Sequence, residues 1–417
     1  MKGLRRALAA LAAAALLAAM PVSAAEVADT EAGETWEQLT AMDEAAWERL
    51  TGGEAQAADA SALEIGGQSA ILISLSGGEV LFEKDADKRL PIASVTKVMT
   101  LLLTMEAIDN GLLGYGDMLN CSADAAALGG SQIWLEPGEV MSVDDLLKAV
   151  TVVSANDACA VLAEAIAGSI EGFVQRMNRR AAELGMENTQ FLDCCGLNDE
   201  AYSSARDVAL MSRELMRHEG ITRYTTIWMD TLRDGKSQLV NTNKMIRFYD
   251  GATGLKTGTT STAGHCLSAT ATRGGLGLCA VMLGCKTTAE RFGGARKLLD
   301  YGFANYTLYT PTAEDAALPP VTVLHGVRAS VTPVTDGTQA LLLRRGQENA
   351  VTSEVELCAD VEAPVVEGQV LGEMRFRLDG ETVASYPIRA ARAVERLTFG
   401  GALRWLWQAL GGAFVTD

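Results

Sequence analysis

The stretch Pro91-Ile-Ala-Ser94-Val-Thr-Lys97-Val-Met-Thr-Leu-Leu-Leu-Thr-Met-Glu106 places a serine and a lysine three residues apart at the head of an apolar run. Residues 98–108 hold no Gly or Pro and are rich in Leu and Met, which predicts a buried helix with Ser94 in its first turn. Ser94 and Lys97 then share one face. A serine hydroxyl is a weak nucleophile until a neighbouring base takes its proton, and a lysine serves as that base only where desolvation or a nearby cation disfavours its charged form. An apolar helix seated in a core provides the desolvation.

A Ser-x-x-Lys pair arises about once or twice by chance in a chain this long, so its weight comes from its company further along the chain. Ser154-Ala155-Asn156 comes after an amphipathic stretch, and Lys256-Thr257-Gly258 comes after a Gly-rich turn. The three clusters in this order resemble the motif set of penicillin-binding proteins and serine β-lactamases. Further stretches carry the same resemblance: Leu90-Pro-Ile-Ala-Ser-Val-Thr-Lys97, Glu136-Pro-Gly-Glu139, Asp144-Asp-Leu-Leu147, Ser154-Ala-Asn-Asp157, Ser204-Ala-Arg-Asp207 and Gly254-Leu-Lys-Thr-Gly258. Together they look like low-molecular-mass D-alanyl-D-alanine carboxypeptidases, closely over residues 65–310 and more loosely over 311–415. The chain departs from that pattern at Cys194-Cys195, before Gly196-Leu197, and at His265, where a tyrosine or an apolar residue is expected.

The resemblance implies a reaction. Ser94 attacks the carbonyl between the last two D-alanines of a peptidoglycan stem peptide, Lys97 takes its proton, and the backbone N–H groups of Ser94 and Thr259 form the oxyanion hole. Ser154 relays a proton to the leaving amine, while the Asn156 amide holds a substrate carbonyl or pins Lys97. Ser154 and Asn156 also read as a turn that caps a helix starting near Asp157. Lys256, Thr257 and Thr259 bind the terminal carboxylate, and Gly258 lets the strand backbone approach the substrate. β-Lactams are the implied inhibitors, and no metal or organic cofactor is needed.

Around these clusters the chain divides into parts. Residues 1–25 carry Lys2, Arg5 and Arg6, an Ala/Leu run and small residues suited to cleavage, which is the pattern of a secretory signal peptide. Export would place the mature chain outside the cytoplasm. Residues 26–60 read as an acidic linker or a loose helix pair. Residues 61–310 read as an α+β catalytic domain, an antiparallel sheet flanked by helices with a helical subdomain. A hairpin is expected at Ser69-Ala-Ile-Leu-Ile-Ser-Leu75 and Glu79-Val-Leu-Phe-Glu83, and helices over 143–150, 158–167, 171–184, 205–217 and 289–305. Three antiparallel strands are expected around Lys256, over 266–272 and over 276–283. Residues 311–395 show short Val-rich alternating runs and read as a small β-sandwich. In 396–417, Phe399, Leu403, Leu406, Trp407, Leu410 and Phe414 fall on one face with Arg404 and Gln408 opposite, the pattern of a helix lying on the outer face of the cytoplasmic membrane.

Other chemistries find less support. With 53 acidic against 35 basic residues the chain is unsuited to nucleic acid. The eight cysteines show no Cys-x-x-Cys or Cys/His spacing for a metal and read mostly as small core residues. Only His218, His265 and His325 exist, none in a nucleophile elbow, which argues against a Ser-His-Asp triad. A serine β-lactamase would need a second base. Glu183 and Glu187 lie between the second and third clusters, but no Glu-x-x-Leu-Asn pattern does. The third alternative is a non-catalytic wall-binding protein of the same fold, against which the intact Ser94, Lys97, Ser154 and Lys256 speak.

Overall fold

The structure is a computed structural model that describes residues 42–52, 60–311, 318–335 and 339–411. The expected signal segment and most of residues 26–60 lie outside them. The chain forms two compact units, Met1–Ala304 and Asn305–Asp417, dividing a few residues before the expected boundary at 310.

In the first unit the segment expected as a linker or a loose helix pair holds a helix, α1 (Glu44–Thr51), capped by the Asp43 carboxylate, which accepts from Ala46 N at 2.7 Å. Trp47 is buried and stacks on Phe248 at 5.5 Å and against Phe292 at 5.6 Å. Arg296 Nη1 joins Glu48 Oε1 at 2.9 Å and Thr51 Oγ1 at 2.8 Å. Over these residues the segment is a docked helix. Two tryptophans, Trp36 and Trp47, in an acidic, Ala-rich stretch set up no periodicity, so composition concealed it. Trp47→Ala should cost about 3–5 kcal/mol, lowering the melting temperature by roughly 10 °C. An unchanged melting curve would mean that α1 contributes nothing to the unit.

The hairpin β1 (Ser69–Ser74) and β2 (Val80–Lys84) and the run β3 (Ala252–Thr260), β4 (Gly264–Arg273) and β5 (Leu276–Cys285) form one antiparallel sheet in the order β2-β1-β5-β4-β3. Strand β3 is therefore an edge of the sheet. Helix α2 (Lys97–Asp109) is buried from Lys97 to Met105, because its Leu/Met run leaves no polar face. It packs on α4 (Asn156–Ala167) and α6 (Ala205–Leu215). Helix α3 (Val143–Val152) is capped by Ser142 and ends just before Ser154; α5 (Ile170–Glu183) follows α4, and α7 (Thr288–Asn305) follows β5.

Up to its terminal helix the second unit is built of β-strands, as expected. Strand β6 (Tyr306–Tyr309) pairs with β10 (Leu341–Arg344), and β7 (Val321–Leu324) lies between β8 (Ser330–Val331) and β12 (Asp360–Glu362). A four-stranded sheet runs β9 (Pro333–Thr335), β14 (Glu381–Ala390), β13 (Val370–Leu378), β11 (Thr352–Leu357). Alternate residues of these strands face two small cores, one around Val321, Val323, Val331 and Leu371, the other around Met374, Phe376 and Ile388. The β7–β12 pair is parallel, which hairpin signals do not announce. Helix α8 (Phe399–Gly411) follows, with Phe399 and Trp407 86% and 73% exposed and Leu403 and Leu406 about half exposed. Among the described residues no helix is long and apolar enough to cross a membrane.

Candidate active site

Ser94 sits in a single 3-10 turn, Ala93–Thr96, that runs straight into α2. The turn starts from a left-handed Ala93, φ 48°, a strained conformation of the kind that clusters at functional sites. Lys97 is completely buried one turn on, and its Nζ lies 2.9 Å from Ser94 Oγ and 2.9 Å from the Cys195 carbonyl. Both partners are neutral oxygens.

The Cys195 carbonyl is held there by a turn that short motifs do not reveal. The Asp193 carboxylate accepts from the backbone of Cys195 at 2.6 Å, of Gly196, and of Asn198 at 2.7 Å. Thr100 Oγ1, one turn above Lys97, donates to the Cys194 carbonyl at 2.7 Å. Gly196 has φ 83°, and a Cβ there would lie 1.9 Å from the Ala93 carbonyl oxygen, so only glycine lets this turn close on the serine turn.

Between α3 and α4 the chain turns through Ser154, buried and left-handed at φ 64°. Asn156 opens α4, its Nδ2 donating to the Gly129 carbonyl at 2.8 Å. Its buried Oδ1 has no partner, a state that costs about 1–3 kcal/mol. One of the two N–H donors of this amide is thus engaged with Gly129, and the Oδ1 acceptor beside it stands open and is suited to a substrate N–H. Asp157 accepts from Leu135 N at 2.9 Å and from Ile133 N, tying the loop beside the site to α4. Burial pushes its carboxyl above the usual range, against these bonds.

Strand β3 closes the site from the other side. Lys256 and Thr257 are buried; Lys256 Nζ donates to the Thr257 carbonyl at 2.9 Å, and Thr257 Oγ1 lies 2.6 Å from Thr242 Oγ1. A Cβ at Gly258 would lie 2.8 Å from Ile92 O and 2.9 Å from both Ser94 N and Val95 N, so the strand backbone reaches the serine turn itself. Gly258→Ala should push the two apart. A displacement near 1 Å costs about a hundredfold in rate, so acylation should fall by about that factor; an unchanged rate would show that the approach has no catalytic role.

Thr259 is held by a residue that sequence reasoning missed. Arg291, buried on α7, donates through Nη1 to Thr259 Oγ1 at 3.2 Å and lies 3.4 to 3.5 Å from the Cys266 and Gly258 carbonyls. Its only signal in the sequence was a charge in the helix expected over 289–305. His265 stands opposite Thr259, and burial, reinforced by Arg291, lowers its pKa, so the imidazole is neutral at pH 7.

The residues of the rival mechanisms lie elsewhere. His218 pairs with Asp109 at 2.5 Å, His325 is 3.7 Å from Glu362, and Glu183 is an exposed partner of Arg180 on α5. All eight cysteines are free and seven are buried. Spacing gave no metal cluster, yet folding gathers Cys159, Cys194 and Cys195 with their sulfurs within 4.8 Å of one another.

Comparisons with known proteins bear on the family of the chain. The D-alanyl-D-alanine carboxypeptidase family pattern matches residues 55–287, and that of the penicillin-binding protein 5 C-terminal domain matches 306–396. The D-alanyl-D-alanine carboxypeptidase DacF of Bacillus subtilis is 40% identical over 80% of this chain and 87% of its own length. DacC of Escherichia coli is 35% identical over 79% and 85%. The structure of penicillin-binding protein 5 from Haemophilus influenzae superposes with a TM-score of 0.69 at 30% identity, covering 80% of this chain and 99% of that one. Penicillin-binding protein D2 from Listeria monocytogenes in its ampicillin-bound form does so at 0.51 and 34% identity, over 58% of this chain and 98% of that one. With the family pattern spanning more than half of its residues, this chain belongs to the D-alanyl-D-alanine carboxypeptidase family of penicillin-binding proteins.

Proposed function

We propose that the protein removes the terminal D-alanine from peptidoglycan stem pentapeptides through an acyl-enzyme on Ser94. The observation that carries this reading is the buried Lys97 amine 2.9 Å from Ser94 Oγ, with two neutral oxygens as its partners. Lys97 takes the hydroxyl proton as Oγ attacks the carbonyl between the last two D-alanines. The N–H groups of Ser94 and Thr259 stabilise the oxyanion, Asn156 Oδ1 accepts a substrate N–H, and Ser154 passes the proton to the departing amine. Lys256, Thr257 and Thr259, the last braced by Arg291, bind the terminal carboxylate. D-Alanine leaves, and water attacks the ester to free the serine. The test is release of D-alanine from a stem pentapeptide. Release by the wild type and none by Ser94→Ala would support the reading, whereas equal release by both would exclude Ser94.

We further infer that the chain is exported by its N-terminal segment and works at the outer face of the cytoplasmic membrane, held there by α8. The run of exposed Phe399, Leu403, Leu406 and Trp407 supports attachment, since such a face is stable against an interfacial lipid layer. Truncation before Thr398 should yield an enzyme of unchanged activity that no longer sediments with vesicles. If full-length and truncated proteins partition alike, α8 is not the anchor.

A further inference from the structure

The acyl-transfer reaction uses no thiol, yet three buried thiols adjoin its base. Cys159 lies on α4, while Cys194 and Cys195 lie on the turn that presents a carbonyl to Lys97. Cys194 Sγ and Cys195 Sγ are 3.4 Å apart, and all three sulfurs fall within 4.8 Å of one another. Three sulfurs bound to one ion at about 2.3 Å stand roughly 4 Å apart in a trigonal arrangement, so shifts of under about 1 Å would complete a three-thiolate centre.

We propose that Cys159, Cys194 and Cys195 bind one soft, closed-shell metal ion of the Cu(I) or Cd(II) class, and that loading this site shuts off acylation at Ser94. Thiolates select soft ions over the hard cations that carboxylates hold. Binding breaks three S–H bonds, releases three protons to solvent and forms three S–metal bonds, with no electron transferred.

The coupling to Ser94, which rests on the proposed carboxypeptidase function, comes from the bonds the thiols now make. Cys159 Sγ donates to the Cys194 carbonyl at 3.1 Å, and Cys195 Sγ lies 3.5 Å from the Asn156 carbonyl. Both donors are lost when the sulfurs turn to the ion. Cys194 and Cys195 lend their carbonyls to Thr100 and Lys97, so drawing in their sulfurs moves the oxygen that holds the Lys97 amine. A shift near 1 Å there is enough for about a hundredfold loss of rate.

The test uses the full-length chain carrying Cys358→Ser, which removes the one exposed thiol among the described residues. It is titrated with cadmium chloride to equilibrium and read by equilibrium dialysis, by thiolate-to-cadmium ultraviolet absorption and by the rate of fluorescent penicillin labelling. The expected result is one ion per chain with an absorption band of three thiolates, and labelling slowed at least tenfold and restored by a chelator. Cys159→Ala and Cys194→Ala should each lose the band and the slowing, the rate ratio with and without cadmium being taken within each variant. Two variants are used so that a folding defect in one, visible in its melting curve, leaves the other to decide. An unchanged band in both variants would place the ion elsewhere and overturn the site, as would no binding at all. Binding without slowed labelling would overturn the coupling. Failure to label even without cadmium would instead count against the carboxypeptidase function, with the absorption band still deciding the site.

Discussion

Mixing the protein with penicillin is expected to leave one covalent penicilloyl group per chain, on the peptide containing Ser94, with none formed in Ser94→Ala. A β-lactam presents a strained amide carbonyl where the substrate presents its D-alanyl-D-alanine bond, so the same serine attacks it with the same buried lysine 2.9 Å from its oxygen. The two acyl-enzymes then diverge. D-Alanine diffuses away and leaves room for water, whereas the ring nitrogen stays tethered to the acyl group after ring opening and obstructs the approach. Fast hydrolysis then needs a second base, and neither glutamate singled out by sequence is placed for it: Glu183 is engaged with Arg180 on the exposed side of α5, and Glu187 is exposed beyond the end of that helix. The adduct should therefore outlast the natural acyl-enzyme by orders of magnitude and survive digestion for mass spectrometry. Rapid penicillin turnover with no trapped adduct would make the protein a β-lactamase, and a chain that neither forms the adduct nor releases D-alanine would be a binding protein.

Why some of this was legible in the sequence and some not depends on the distance over which each signal acts. The Leu/Met run of α2 announces a helix buried on all sides, and the apolar runs of β3 to β5, broken by Gly at the turns, announce antiparallel strands. The Ser-Lys pair is local because one turn of helix brings the two side chains together. The elements that were missed depend on contacts between distant residues. Trp47 gains meaning only from Phe248 and Phe292, and Arg291 only from Thr259. The turn at Asp193 looks like any Asx turn until Gly196 is seen against Ala93. The thiol cluster is equally hidden, since Cys159 meets Cys194 across 35 positions of chain.

The Asp193 turn also changes how the base is understood. Lys97 is held from two directions, by the hydroxyl it is to deprotonate and by the carbonyl of Cys195. The carbonyl fixes the amine so that its lone pair, once the proton is gone, meets Ser94 Oγ without a search of rotamers. Without that carbonyl the amine would be held by the Ser94 hydroxyl alone. The Asp193 turn makes it a positioned one.

Replacing Lys97 should therefore abolish acylation while the fold persists. In Lys97→Arg the guanidinium remains protonated at any pH at which the protein is folded, so it cannot accept the serine proton, and its planar fork cannot reproduce an amine shared between Ser94 Oγ and the Cys195 carbonyl. Loss of a positioned general base costs about 10²–10⁴-fold, and the penicillin labelling rate should drop by at least the lower figure. Arginine is also larger than the site, so a loss of rate could reflect displaced structure. Lys97→Met removes that ambiguity, because it keeps the length and apolar stem, brings no charge into the core and has no base. Both variants should melt cooperatively, and both should fail to label. If Lys97→Met melts like the wild type and still acylates at an undiminished rate, another group takes the proton from Ser94, and the pairing at 2.9 Å is structural only.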